Sequence, residues 1–133
     1  MVRLGLVVAE FNRDVTEEME REALATADEA DVTVAETVHV PGAYDAPLAA
    51  DRLARRDDID AVTVIGAIKS GDTDHDRVIG SAMAQGLTDV SLDRDTPVTL
   101  GVTGPGMSLD EAQARTGYGA RALEGAIDLV EAL

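Results

Sequence analysis

The stretch DAVTVIGAIKSGDTDHDRV, residues Asp60 to Val78, decides the fold of this chain. Its first part, Ala61 to Ala67, is an uninterrupted apolar run of the kind that forms a strand buried on both faces. A polar loop with glycine follows, and the pattern after it predicts a helix from about His75 to Leu87. The side chains expected to face inward from that helix are Val78, Ile79, Ala82 and Met83.

The rest of the chain repeats this alternation of apolar runs and amphipathic stretches. Three more runs rich in Val, Ile and Leu predict buried strands. In chain order these predicted strands are Leu4–Ala9, Val32–Val40 and Pro97–Thr103. We therefore predict a single α/β domain over residues 1–133, with a four-stranded parallel sheet between two layers of helices. In such a three-layer α/β/α fold, ligands bind at the carboxyl ends of the strands.

The helix after the first strand has a recognisable start signal. Asp14 followed by Glu17 resembles a capping box, and the pattern predicts a helix from there to about Ala30. In the second helix, Pro47 marks the first turn, where a proline costs no hydrogen bond. The apolar residues expected to face inward from these two helices are Val15, Met19, Ala23, Ala27, Leu48, Ala49 and Leu53.

The charge and cysteine content exclude several function classes. A net charge of −15 argues against a nucleic-acid partner, because contacts to phosphates need a basic surface. The absence of cysteine excludes disulfides, thiolate zinc sites and cysteine nucleophiles. No apolar run reaches the roughly 18 residues that a membrane-spanning helix needs. We therefore expect a cytoplasmic protein with no signal peptide and no membrane partner.

The choice of basic residues indicates the solvent in which the protein works. Ten of the 11 basic residues are arginine, and only Lys69 is lysine. An acidic surface almost free of lysine suggests adaptation to high salt, where screening removes the self-repulsion of the acidic groups. The composition thus predicts a halophilic protein without indicating what it does.

Residues with chemical potential follow the predicted strands. The only phenylalanine, Phe11, comes after the first strand, and the segment Pro41–Asp45 comes after the second. The only lysine, Lys69, and one of the two histidines, His75, follow the third strand, and Gly104–Gly106 follows the fourth. Because the carboxyl ends of parallel strands meet at one edge of the sheet, these residues together predict a site there.

Each of these residues also has a purely structural interpretation. Phe11 could plug the end of its strand or offer a face on which a planar heterocycle stacks. At the start of a helix, His75 is favoured in its neutral form, which can accept a proton, although a lone histidine is more often a structural hydrogen-bonding group. Lys69 could form a Schiff base or lend its stem to packing. The loop Gly71–Asp74 could hold an anion on its backbone N–H groups, but Asp72 would repel one unless its carboxylate turns away.

Four segments in order resemble the 6,7-dimethyl-8-ribityllumazine synthase family in its short archaeal form. They are GLVVAEFNRDVTEEME, VPGAYDAPLAA, DAVTVIGAIKSGDTDHDRV and TPVTLGVTGPGMSLDEAQARTGYGARALEGA. The resemblance implies a flavodoxin-like topology and pentamers, twelve of which often close into a 60-subunit shell. It also implies a transferase of riboflavin biosynthesis that uses no cofactor and no metal. This enzyme condenses 5-amino-6-(D-ribitylamino)uracil with 3,4-dihydroxy-2-butanone 4-phosphate and releases phosphate and water.

The same resemblance implies a role for each matched position. His75 corresponds to the general acid/base. The positions implied to bind the ribitylaminouracil are Phe11, Ala43, Tyr44, Asp45, Ala67, Ile68, Lys69 and Leu100. The positions implied to bind the butanone phosphate are Gly71, Asp72, Thr73 and Arg115. Leu100 and Arg115 are expected to reach the site from a neighbouring subunit, so the resemblance predicts sites at subunit interfaces.

Other functions remain open at this stage. A flavodoxin-like module that binds flavin would need a Ser/Thr-rich phosphate loop after the first strand, and EFNRD is not one. An inactive shell-forming scaffold would be favoured only by loss of Phe11, His75 or Arg115, and all three are present. An aldolase-like enzyme with a Schiff base at Lys69 is the remaining enzymatic rival.

Overall fold

The four strands of the chain form one parallel sheet. A computed structural model describes residues 1–71 and 73–133, so the predicted phosphate-loop residue Asp72 lies outside the described residues. In chain order the strands are β1 (Arg3–Ala9), β2 (Thr33–Val40), β3 (Ala61–Lys69) and β4 (Val98–Met107). All pairings are parallel, in the order β2-β1-β3-β4. This order is that of a doubly wound, flavodoxin-like sheet and confirms the predicted fold class.

Helices cover both faces of the sheet. They are α1 (Arg13–Glu29), α2 (Ala46–Ala54), α3 (His75–Arg94), α4 (Leu109–Gln113) and α5 (Gly117–Ala132), with a short 3₁₀ turn over Ala43–Asp45. Side chains of β3 alternate between the two resulting cores. Val64 packs with the α2 and α3 side chains, whereas Ile65 packs with those of α1 and α5. This alternation follows from the two-residue period of a strand. Within the described residues, no helix combines the length and apolar character needed to cross a membrane.

Some helix faces differ from the predictions. α3 continues to Arg94, about two turns beyond the predicted end, and its buried side is a narrow stripe. The buried residues of that stripe are Gly80, Met83, Leu87 and Val90. Val78 and Ala82 were predicted to face inward but are exposed, because they lie beside this stripe rather than on it. Leu48 of α2 is exposed because it lies outside the buried face of that helix, whereas Leu53 is buried as predicted.

The start of α1 also differs from the prediction. The helix begins at Arg13, with Asn12 as the residue before it, so Asp14 lies inside the first turn. Asp14 therefore does not cap the helix. The predicted inner residues Val15, Met19, Ala23 and Ala27 are all buried. The hydrophobic period thus located the helix correctly, although the polar start signal was misassigned.

β4 extends past the predicted end at Thr103 and runs through Gly104, Pro105 and Gly106. Gly104 has a φ of 83°, and a Cβ there would collide with the carbonyl oxygen of Ile68. Glycine is therefore required for the close approach of β4 to the end of β3. The prediction stopped at Thr103 because glycine and proline usually interrupt strands. The longer strand supports the part of β3 that reaches the carboxyl edge of the sheet.

Candidate active site

A cleft of about 400 Å³ lies at the carboxyl edge of the sheet. It is formed where β1 leads into α1, where β2 leads into the 3₁₀ turn, and where β3 leads into α3. The chain adds β2 on one side of β1 and β3 on the other, so the cleft lies at the topological switch point of the sheet. The residues that line it are Phe11, Gly42, Ala43, Tyr44, Ala67, Ile68, Lys69, Gly71, Thr73, His75, Asp76 and Ile79.

Two exposed aromatic rings border the cleft. Phe11 is 68% exposed and Tyr44 is 64% exposed, although side chains of this kind usually bury most of their surface. Phe11 therefore does not plug the end of β1, and its ring is available to a planar ligand. The backbone N–H of Phe11 donates to the carbonyl of Pro41 at 3.0 Å, which joins the two loops that carry the rings.

The end of β3 forms one side of the cleft. Ala67 and Ile68 are buried, whereas Lys69, the last residue of the strand, is exposed. The register between β3 and β4 shifts between Ala67 and Lys69, where β4 carries extra residues. The N–H of Ser70 then donates to the carbonyl of Met107 at 2.7 Å, so the backbone remains paired up to the loop. The cleft thus combines a hydrogen-bonded backbone edge with one exposed cationic side chain.

His75 is exposed and lies at the first position of α3. Its backbone N–H donates to the hydroxyl of Thr73 at 3.3 Å. The carboxylate of the next residue, Asp76, accepts a hydrogen bond from the N–H of Gly106 at 3.1 Å. Side chain and backbone contacts therefore fix the start of α3, and the imidazole can meet a ligand in the cleft.

Among the predicted site residues that the structure describes, three do not line this cleft. Leu100 is the third residue of β4, where it borders a shallow depression with Tyr118 and Arg121. Arg115 lies between α4 and α5 and donates from Nη1 to the carbonyl of Glu111 at 2.9 Å. Asp45 is exposed, and one of its oxygens accepts the N–H of Gly42 at 3.0 Å. Asp45 directly follows the cleft residues Ala43 and Tyr44 in the chain, whereas neither Leu100 nor Arg115 is close in sequence to a residue that lines the cleft.

Hydrogen bonds of Glu111 fix the surroundings of Arg115. Glu111 closes a capping box with Ser108, whose N–H donates to the carboxylate at 3.2 Å. This hydrogen bond lowers the pKa of the Glu111 carboxyl below its usual value. The carbonyl of the same residue accepts from Arg115, so the α4 turn orients the guanidinium.

Sequence reasoning missed several residues of the site. Asp76 and Ile79 line the cleft but were not predicted as site residues, and Gly42 was predicted only as part of the segment Pro41–Asp45 without a role of its own. Asn12 was also missed: its side-chain nitrogen donates to the carbonyl of Ala67 at 2.8 Å. An asparagine just before a helix is a start signal that could have indicated Asn12, but nothing in the sequence indicates a partner in β3.

The sequence model described as 6,7-dimethyl-8-ribityllumazine synthase matches residues 1–133 of the chain. The chain is 68% identical to the protein of that name from Halobacterium salinarum, over 100% of both chains. The chain belongs to the 6,7-dimethyl-8-ribityllumazine synthase family. Proteins of the same name from Halorubrum lacusprofundi and Methanocaldococcus jannaschii are 64% and 46% identical to it. Both matches cover 100% of this chain, and they cover 99% and 94% of the respective relatives.

Membership of the lumazine synthase family confirms the resemblance drawn from the four sequence segments. The match covers both the segments that form the cleft and the β4–α5 region that carries Leu100 and Arg115. The flavin-binding and inactive-scaffold alternatives are not favoured, since the relatives named above are synthases.

Proposed function

We propose that the chain condenses 5-amino-6-(D-ribitylamino)uracil with 3,4-dihydroxy-2-butanone 4-phosphate to give 6,7-dimethyl-8-ribityllumazine, phosphate and water. The observation that carries the proposal is the cleft at the switch point, which unites Phe11, Lys69 and His75 in a chain of the lumazine synthase family. An exposed ring, an ordered backbone edge and an accessible imidazole are the groups that this condensation needs.

The pyrimidine is proposed to stack on Phe11 with its edge against the backbone of Ala67, Ile68 and Lys69. The high exposure of the Phe11 ring supports this, because a free aromatic face suits a planar heterocycle. The ribityl chain is then assigned to the 3₁₀ turn of Ala43, Tyr44 and Asp45. One carboxylate oxygen of Asp45 is used by Gly42, and the other is assigned to the ribityl hydroxyls.

The butanone phosphate is proposed to bind between the loop after β3 and an arginine from another subunit. Gly71 and Thr73 line the cleft on the side of His75. Asp72, which lies outside the described residues, is included in this loop on sequence grounds alone. Arg115 supplies the fixed charge, since a planar guanidinium can hold a phosphate through two parallel hydrogen bonds.

His75 is proposed to move the protons. The substrate amine attacks the ketone, and loss of water gives an imine. Loss of the proton from the carbon next to the imine then expels phosphate and leaves an enol, which takes up a proton to become a ketone. The second amine attacks this ketone, and loss of a second water closes the ring. Each of these steps needs a group that accepts and returns a proton near neutral pH, and an imidazole does both. Alignment of the two substrates within one cleft supplies much of the remaining acceleration.

Leu100 and Arg115 are proposed to complete the cleft of a neighbouring subunit in a pentamer, twelve of which can form a 60-subunit shell. Two observations support a subunit interface on this side. Neither residue lines the cleft of its own subunit. In addition, α3 and β4 leave apolar side chains exposed, among them Val78, Leu92 and Leu100. Apolar surface of this kind is common where another protein docks.

Assembly is also proposed to depend on high salt. Each subunit carries a net charge of −15, so subunits repel one another unless ions screen them. The Debye length falls from about 10 Å at 0.1 M salt to about 3 Å at 1 M. Light scattering and turnover measured across a salt series should therefore fall together as salt is removed. A monomer with full activity at low salt would contradict both the shared site and the salt adaptation.

The reaction itself is tested by mixing the two substrates with the protein at high salt. Lumazine absorbance and phosphate release should rise together, and neither should rise when one substrate is omitted. Shared sites are tested by mixing inactive His75→Ala and Arg115→Ala subunits and reassembling them. Because some mixed interfaces then hold one intact copy of each residue, partial activity should return. No product from the wild-type protein would overturn the proposed function.

A further inference from the structure

Asn12 occupies an unusual position next to the exposed ring of Phe11. It precedes α1 and has a φ of 64°, in the left-handed region that few residues other than glycine adopt. Asparagine tolerates this conformation better than most residues do. The left-handed backbone at Asn12 therefore sets the direction in which the chain passes from Phe11 into α1.

The side chain of Asn12 does not do what its position suggests. Asparagine before a helix usually accepts a hydrogen bond from the first turn, but no such bond forms here. Instead Nδ2 donates to the carbonyl of Ala67 at 2.8 Å, across 55 residues of sequence. The amide is thus directed to the end of β3, where Ala67 is 4% exposed. A buried carbonyl needs a donor, so this bond is worth more than one at the surface.

Two sets of hydrogen bonds consequently hold the loop that carries Phe11. On one side, the N–H groups of Glu10 and Phe11 donate to the carbonyls of Val40 and Pro41 at 2.8 and 3.0 Å. These bonds join the loop to the end of β2. On the other side, the amide of Asn12 joins it to β3. The loop that carries Phe11 and the end of β3, which both border the cleft, are therefore connected directly through the side chain of Asn12.

We propose that Asn12 is a positioning residue for the heterocycle site. Its amide sets the distance between the ring of Phe11 and the backbone of Ala67 to Lys69, so that a planar ligand fits between them. This inference rests on the proposed function, because it assumes that a heterocycle stacks on Phe11. It predicts an effect on the pyrimidine substrate that the butanone phosphate does not share.

Two substitutions separate this role from support of the helix. Asn12→Asp keeps the size of the side chain and its ability to cap a helix, but it loses the donor to Ala67. Asn12→Gly keeps the positive φ and removes the side chain. The matched control is Asp31→Gly, since Asp31 also has a positive φ, of 57°, but lies beyond the opposite end of α1.

Both Asn12 variants should raise the KM for the pyrimidine roughly tenfold, as expected for loss of one buried hydrogen bond. The KM for the butanone phosphate should stay within about twofold, and Asp31→Gly should change neither value. Equal increases in both KM values, or wild-type values in Asn12→Asp, would overturn the proposal. Failure of both variants to fold, with Asp31→Gly folded, would show a structural role and would also overturn it.

A second measurement does not depend on turnover. Phe11 is the only phenylalanine, so incorporation of para-fluorophenylalanine labels that ring alone. The fluorine NMR signal should shift or broaden in both Asn12 variants and remain unchanged in Asp31→Gly. An unchanged signal in the Asn12 variants would refute the positioning role even if the wild type makes no lumazine. If the wild type makes no product but the Asn12 variants show the expected fluorine changes, the proposed function is overturned and the positioning of Phe11 by Asn12 is retained.

Discussion

The two histidines lie in regions that use polar groups in opposite ways. His39 of β2 belongs to an ion-paired surface, where its Nε2 lies 3.0 Å from both carboxylate oxygens of Glu20. Arg13 donates to the same carboxylate at 3.0 Å. His75, in contrast, is an exposed side chain of the cleft. Along residues 1–71 and 73–133, none of the ion pairs includes a side chain that lines the cleft.

This difference shows how one chain can combine an acidic, ion-paired exterior with a cleft whose lining side chains take no part in those ion pairs. Elsewhere on the exterior, Arg56 contacts both Glu36 and Asp58, and Arg94 contacts Asp51 at 2.8 Å. These arginines are paired with carboxylates of the same chain. At the cleft, the polar groups instead remain open to ligands. The predictions below test this contrast.

The largest effect is expected from removing the cleft histidine. His75→Ala should slow turnover by roughly 10–10⁴-fold, since one proton shuttle is lost while substrate alignment persists. His39→Ala is the matched control and should leave turnover within about threefold, because its partner Glu20 lies outside the cleft. Single-turnover rates measured for both variants decide the comparison. A nearly unchanged rate in His75→Ala would remove this histidine from the mechanism.

The next effect concerns the strand end that supports the cleft. Gly104 and Gly106 both have a φ of 83°, but only a Cβ at Gly104 collides with the backbone of Ile68. Gly106→Ala should lower the free energy of unfolding by about 1–2 kcal/mol, the cost of the left-handed conformation. Gly104→Ala should lower it by roughly 3 kcal/mol or more. Chemical denaturation at high salt measures both, and equal losses would refute the close approach.

Arg115→Lys tests the phosphate contact that is proposed for Arg115. A lysine keeps the charge but cannot form two parallel hydrogen bonds to a phosphate. The KM for the butanone phosphate should therefore rise about tenfold or more, and the KM for the pyrimidine should change much less. Steady-state kinetics with each substrate varied in turn give the two values. An equal rise in both would indicate a role of Arg115 in assembly or folding.

Lys69→Met tests whether the only lysine of the chain is required for the chemistry. Methionine keeps most of the stem's volume and removes the amine. Most activity should remain, because the substrate amine forms the imine. Trapping with borohydride and the butanone phosphate should give no covalent adduct with the wild type. Complete loss of activity with intact substrate binding, or a trapped adduct, would favour the Schiff-base mechanism.

The smallest effect is expected from breaking the ion pair between Arg94 and Asp51. The hydrogen bond from Arg94 lowers the pKa of the Asp51 carboxyl below its usual value. A lowered pKa stabilises the fold above the unfolded value near 4, and this contribution is lost as the pH falls through the folded value. Asp51→Asn should therefore slightly lower the Tm near neutral pH. The difference from wild type should shrink below about pH 4, and turnover should stay unchanged.

Much of the fold could be predicted because its determinants are local. The apolar run of β3 and the helical period of α1 identified their elements, since burial imposes a repeat that can be read along the chain. The same reasoning identified Phe11, Lys69 and His75, because parallel strands bring their carboxyl ends to one edge. The sequence by itself thus determined the architecture and the edge that carries the cleft.

The contacts between segments distant in the chain could not be predicted in this way. The sequence contains Asn12 and Ala67 but no sign that they form a hydrogen bond. It contains Gly104 but no sign that β4 continues through it against Ile68. It contains Arg115 but no sign that this side chain does not line the cleft. Such contacts depend on the relative placement of elements after packing, which a local pattern of hydrophobic and polar residues does not encode.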